Sequence, residues 1–302
     1  MGRVRGWCSL SASDVSFHPL YALGPPMNWL LLRGLAREQR HWGRFPNTLR
    51  EQIPGDQVFC LDLPGTGTEH RRRSPAGIAG IMEDTRARFL ALRGQHPGPW
   101  RLLGVSLGGM VAMQWCKDHP EDFAAVVLIN TSAADLSAPW RRMRLNVIPH
   151  VLRALASRDD YQRSLRVLRI TATLVADPEP VAREWARIQG DAPVTRLNIL
   201  RQLVAATRFR APKQLATKVL VITAARDPLC DPECPRRLSA RFGAPLLTHP
   251  SAGHDLALDD PDWLAAQTRA WVESVAAGAP AAWSRSQTAL PEPALPYESD
   301  SS

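Results

Sequence analysis

The stretch WRLLGVSLGGMVAMQW, Trp100 to Trp115, decides how this chain is read. Its first six residues, Trp100 to Val105, form a short apolar run, the pattern of a strand buried on both faces. From Gly108 onward, "GGMVAMQWCKDHP" has a helical pattern that stops at a proline. Ser106 stands at the junction, between Gly104 and Gly108, with Gly109 behind it. Glycines on both flanks remove the Cβ atoms that would clash in so tight a strand-to-helix turn. The hydroxyl is then held clear of the sheet, beside a helix N-terminus that favours developing negative charge. Ser106 is therefore the expected nucleophile; a serine that merely caps the helix is the alternative.

Similar apolar runs lie on both sides of this stretch. They are "NWLLL" (28–32), "QVFCLDL" (57–63), "AAVVLIN" (124–130), "KVLVITA" (218–224) and "APLLTHP" (244–250). Helical patterns separate them: "GIMEDTRARFLALR" places Ile81, Thr85, Phe89 and Leu92 on one face, and "DPDWLAAQTRAWVESV" closes the series. Strand–helix alternation implies an α/β fold, a mostly parallel sheet flanked by helices with right-handed crossovers. From Leu136 to Pro212 no strand signal appears. Apolar stripes replace it at Val151/Leu152/Leu155, Leu165/Leu168, Val181/Trp185/Ile188 and Leu197/Leu200/Leu203/Val204. They are expected to face a core, and the interval reads as an all-helical cap, 136–212, inserted between core segments 27–135 and 213–277. Residues 1–26 show no periodicity and are expected to be a poorly ordered extension. Residues 278–302, rich in Pro, Ser and Ala, read as a disordered tail.

A serine hydroxyl is a weak nucleophile until a base takes its proton, and a histidine base needs an orienting carboxylate. His254, in "SAGHDLALDDP", follows the last strand and precedes the last helix, at the end of the sheet where the loops meet Ser106. His249 precedes Pro250 and is expected to end the strand; His119 precedes Pro120 at a helix end and reads as surface. Asp227 directly follows "KVLVITA", so its position is better fixed than that of Asp231 in the same loop. Asp255 adjoins the base and reads as a turn or cap residue. Ser106, Asp227 and His254 then fall in the chain order expected of a nucleophile elbow on an α/β sheet. The expected oxyanion donors are the backbone N–H of Leu107 and that of Leu35, after Gly34 in "LLLRGLARE".

Over about residues 28–275 the chain resembles the α/β-hydrolase superfamily. The resemblance rests on "RGLA", "GVSLGG", "ARDPLCD" and "AGHDL" in that order. The elbow and all-helical cap look most like small serine carboxylesterases of the pimeloyl-acyl-carrier-protein methyl ester esterase-like group. That resemblance implies a carboxylic ester hydrolase with a lid and no cofactor. Two features depart from the family: Arg33 precedes Gly34 where histidine is usual, and the two antiparallel strands that commonly come first are not evident before Asn28. Those strands are expected to be reduced or absent. The same three residues would also serve a thioesterase or acyltransferase working on carrier-protein- or CoA-linked acyl groups. A non-catalytic binding protein on this fold is the third reading.

Composition narrows the classes further. The 302 residues are 45% hydrophobic and 22% charged, which suits a globular chain. No run approaches the ~18–20 apolar residues of a membrane span. Five scattered cysteines make no disulfide framework, and Cys230 and Cys234 lack the second pair a zinc site needs. No metal is expected, and a reducing, cytoplasmic compartment fits the free thiols. The net charge is +8, and of 37 basic residues only Lys117, Lys213 and Lys218 are lysines. Eight arginines (141, 142, 144, 153, 158, 163, 166 and 169) crowd the start of the cap, opposed by Asp159 and Asp160. A solvated helix face is the plain reading. The sharper one is a basic rim that steers an acidic acyl carrier protein or CoA, with Arg33, Arg141 and Arg142 as candidate substrate-binding residues. No zinc-finger spacing, helix-turn-helix signal or aromatic–basic interleaving supports a nucleic-acid partner.

Overall fold

The structure is a computed structural model that describes residues 26–278. The expected N-terminal extension and the C-terminal tail lie outside the described residues, apart from their innermost positions. Six strands make one sheet: β1 (Asn28–Leu32), β2 (Gln57–Leu61), β3 (Trp100–Val105), β4 (Ala125–Ile129), β5 (Lys218–Ala224) and β6 (Leu246–His249). Their order is β2-β1-β3-β4-β5-β6, and every pair is parallel. No antiparallel strand joins the sheet among the described residues.

The strands are buried on both faces, which is why they read as unbroken apolar runs. Leu30, Leu32 and Leu102 point into one core, with Ile81, Phe89 and Trp115 from α2 (Ile78–Gln95) and α3 (Leu107–Asp118). Trp29, Leu31 and Leu103 point into the other, with Leu49 from α1 (Phe45–Gln52) and Leu264 and Trp271 from α11 (Pro261–Ala276). After β2 the chain crosses back over β1 and continues the sheet on its far side. Strand order therefore reverses between β1 and β3, and the crevice beyond the C-terminal ends of these two strands is where such sheets bind ligands.

Five helices lie between β4 and β5: α4 (Pro139–Arg142), α5 (Ile148–Ala156), α6 (Asp160–Thr171), α7 (Pro178–Asp191) and α8 (Arg196–Arg208). Leu168, Ala182, Trp185 and Ile188 form a small core of their own between α6 and α7. The α8 stripe is a correction to the sequence reading. Leu197 and Leu200 are exposed, while Asn198, Gln202 and Ala205 are buried. The reason is hydrogen bonding to loop backbone. Asn198 accepts from the Ser74 N–H and donates to the Arg72 carbonyl, while Gln202 accepts from the Ala36 N–H. Buried backbone groups need partners, and here polar cap side chains supply them. The last helices, α9 (Glu233–Phe242), α10 (Leu256–Asp259) and α11, return the chain to the sheet.

Candidate active site

Ser106 follows the last residue of β3 and precedes α3, with φ 55° and ψ −116°. That backbone is costly for a residue with a side chain and persists only where its surroundings impose it. A Cβ on Gly108 would lie 2.3 Å from the Leu32 carbonyl oxygen, and one on Gly104 would lie 2.5 Å from the Gly108 oxygen. Only glycine fits at either place, so the serine is held where β3 and β1 are closest to α3.

The loops after the other strands converge on the same end. The His254 Nδ1 lies 2.7 Å from Asp227 Oδ2. The other oxygen of Asp227 accepts from the Leu229 and Cys230 N–H groups, each at 2.8 Å. Asp227 is thus fixed by two backbone donors and turned toward the imidazole. Asp231, its rival in the loop, is engaged instead with the Arg141 guanidinium at 3.0 Å. His249 ends β6, where its Nδ1 accepts from the Ala252 N–H at 2.8 Å.

Ser106 and His254 share the wall of a cavity of about 610 Å³ between the sheet end and the cap. Leu35 and Leu107 line it as well, and neither backbone N–H is engaged by another group among the described residues. The next amide, that of Ala36, is taken by Gln202 Oε1 at 2.9 Å. A Cβ on Gly34 would come within 3.2 Å of the Ser106 Cβ, so this loop rests directly against the serine. Val151, Leu155, Val167, Ile199 and Leu203 roof the cavity from the cap.

The three candidate substrate-binding arginines divide. Arg33 lines the cavity but is 4% exposed and grips Asp255 with both Nη atoms, at 3.0 and 2.5 Å. Asp255 does more than cap a turn: burial alone would raise its pKa, and the Arg33 charge and hydrogen bonds overturn this and hold it low. Arg142 lines the cavity and donates to the carbonyls of Ala206 and Thr207 and to Ser132 Oγ. Arg141 is not part of the cavity wall, because its guanidinium turns away to Asp231.

Several residues at the site carried no signal in the sequence. Asn130, at the end of β4 with φ 45°, donates to the carbonyls of Gly253 and His254, and its Oδ1 accepts from the Ala224 N–H. It ties the strand before Asp227 to the backbone of His254. The one available hint was an asparagine closing an apolar run, since asparagine tolerates positive φ. Arg37, His41 and Trp185 also line the cavity. His41 is buried, and desolvation, with Arg37 and Arg33 adding to it, pushes its pKa well below the ordinary histidine range.

Residues 29–267 match the alpha/beta hydrolase family, and the chain belongs to that family. Over 141 residues it is 30% identical to a poly(3-hydroxyalkanoate) depolymerase of Ectopseudomonas oleovorans, covering 45% of this chain and 46% of the relative. Over 149 residues it is 30% identical to a pimeloyl-acyl-carrier-protein methyl ester esterase of Edwardsiella ictaluri, covering 49% of this chain and 53% of that protein. The chain thus spans about half the length of these curated relatives. Its fold is similar to that of an esterase from Exiguobacterium antarcticum, with a TM-score of 0.65 at 18% identity, covering 83% of this chain and 93% of the other. No helix among the described residues is long and apolar enough to cross a membrane.

Proposed function

We propose that the protein is a serine hydrolase of carboxylic esters that works through an acyl-enzyme. The observation that carries this reading is Ser106 at positive φ on a cavity wall that it shares with a histidine hydrogen-bonded to a buried aspartate. Ser106 attacks the ester carbonyl. His254 takes the hydroxyl proton on Nε2 and returns it to the leaving alkoxide. Asp227 holds the proton on Nδ1 and stabilises the imidazolium. The N–H groups of Leu107 and Leu35 receive the oxyanion. Water, deprotonated by His254, then releases the acid and restores Ser106. The apolar roof suits an acyl chain, and hydrolase membership and the esterase name of a relative agree with the chemistry.

A second reading, thioester hydrolysis or acyl transfer from a carrier, has support from the carrier-linked substrate in that relative's name. A docking rim would then draw on Arg153, Arg158 and Arg169, which are exposed, rather than on Arg141 or Arg142. The test is turnover of p-nitrophenyl butyrate and butyryl-CoA by the native protein and by Ser106→Ala. Native hydrolysis of the ester with an acyl-serine adduct seen by mass, and loss of both in the variant, is expected. Undiminished turnover by Ser106→Ala would overturn the mechanism. A large preference for the CoA thioester would favour the second reading.

A further inference from the structure

Among the arginines that line the cavity, none of which the proposed hydrolysis uses, Arg37 stands apart. Arg37 lies in the loop after β1, in a turn closed by its own N–H donating to the Gly34 carbonyl at 3.2 Å. That places its Cα within about 7 Å of Gly34, the residue packed against Ser106. Its guanidinium lies 3.7 Å from the ring centroid of Trp185, a cap residue that is 4% exposed. Nη2 is sealed from solvent and has no hydrogen-bond partner. Among the described residues the Arg37 guanidinium makes no ion pair or hydrogen bond.

Three other arginines of the cavity wall have partners, although Arg33 Nε, like Arg37 Nη2, is left without one. Arg33 takes both oxygens of Asp255, the carboxylate that would otherwise serve Arg37. Arg142 takes carbonyls, and Arg163 takes Asp160. A guanidinium stacked on an indole keeps its N–H groups in plane, and Arg37 lines the cavity with no side-chain partner among the described residues, so its accessible N–H groups remain open to an anion. Arg37 is half-buried, and a sealed N–H with no partner is costly, so an anion that reaches the guanidinium would be favourable there.

We propose that Arg37 is the specificity residue of this cavity: it binds an anionic group, carboxylate or phosphate, carried by the substrate at a distance from the scissile ester. The inference rests on the hydrolase reading for where the ester sits, but the anion site itself can be tested without catalysis. Arg37 is held in orientation by Trp185, so the site is built from both the core and the cap.

The experiment has two arms. In the first, p-nitrophenyl hemiglutarate is compared with p-nitrophenyl valerate, and 4-acetoxybutyrate with butyl acetate, so that the carboxylate falls on the acyl or the alcohol side. The native protein is expected to favour the charged member of at least one pair by tenfold or more in kcat/KM. Arg37→Met is expected to abolish that preference and Arg37→Lys to recover part of it. In the second arm, glutarate and inorganic phosphate are titrated calorimetrically into Ser106→Ala and into Ser106→Ala/Arg37→Met. Binding of either anion, lost in the double variant, supports the site and says which anion it takes. Circular dichroism and melting check that each variant folds. No charge preference in either pair together with no Arg37-dependent anion binding overturns the proposal. Absence of all ester turnover with Arg37-dependent binding intact overturns the hydrolase reading instead.

Discussion

Arg33 and Asp255 form a bidentate ion pair, sealed in the protein, that joins the loop bearing the oxyanion amides to the residue after His254. The histidine usual at position 33 in the family is replaced here by a charge, and that charge is neutralised by the neighbour of the base. Breaking one side of such a pair leaves the other charge stranded. Arg33→Met should cost about 3–5 kcal/mol in urea unfolding. Arg33→Met/Asp255→Leu should recover most of that loss. An additive double-mutant cycle would contradict the coupling.

Asn130 is a positioning residue for His254, not a catalytic one. Its amide fastens the His254 carbonyl at 2.8 Å and the Ala224 N–H at 2.9 Å. Asn130→Ala strands these buried groups, so stability should fall by about 2–3 kcal/mol. It also frees the base to drift, and a misplacement of about 1 Å can cost ~100-fold. The expected kinetic signature is a fall in kcat with KM nearly unchanged, measured on p-nitrophenyl butyrate. A change confined to KM would count against the role.

Gly34→Ala is expected to lower kcat by roughly tenfold while the protein still folds. The new methyl would sit 3.2 Å from the Ser106 Cβ, and the serine backbone cannot retreat because Gly104 is packed against Gly108 and Gly108 against the Leu32 carbonyl. The oxyanion amide of Leu35 must move instead, and such donors are worth about 3–4 kcal/mol when lost entirely. Unaltered kcat would remove Leu35 from the proposed mechanism.

His41 makes stability depend on pH. Its folded pKa lies well below the unfolded value of about 6.5, because burial and the Arg37 and Arg33 charges oppose protonation. Below that unfolded value the denatured chain binds a proton that the folded protein refuses. Stability from this group is therefore complete above about pH 6.5 and falls as pH drops toward the folded pKa, by about 1.4 kcal/mol per pH unit. Urea unfolding between pH 6.5 and 5 should show that slope in the native protein and a shallower one in His41→Gln. Equal slopes would show that other groups govern the range.

How much of this was legible beforehand follows from burial. β1, β3 and β5 coincide with the runs read from sequence, because strands covered on both faces have no polar alternation to blur their ends. Ser106, Asp227 and His254, the candidate residues, each lie one to five residues beyond a strand end. α1 and α9 leave little signal in the sequence, since each buries only a few side chains, such as Leu49 in α1 and Leu238 in α9. α8 was read on the wrong face because its buried positions are amides that serve distant loops. Arg37 and Arg33 lie side by side with "RGLA", yet their different fates depend on Trp185 and Asp255, which sequence order does not bring near.

The hydrogen bonds that buried the polar face of α8 also decide which way the roof of the cavity can yield. Asn198 and Gln202 pin one side of the cap to the loops after β1 and β2. On the opposite side, the Thr171 carbonyl accepts from the Asp255 N–H at 2.6 Å, and the Thr173 N–H is held by Asp259. Between these moorings lies α5, whose Val151 and Leu155 face the cavity while Leu152 stands 60% exposed. α5 is held mainly by apolar contacts, with Arg163 donating to the Ser157 carbonyl at its C-terminal end, whereas displacing either moored side strands buried polar groups. The roof is therefore least firmly tied at α5, and the loops that carry Leu35 and His254 are the most firmly tied.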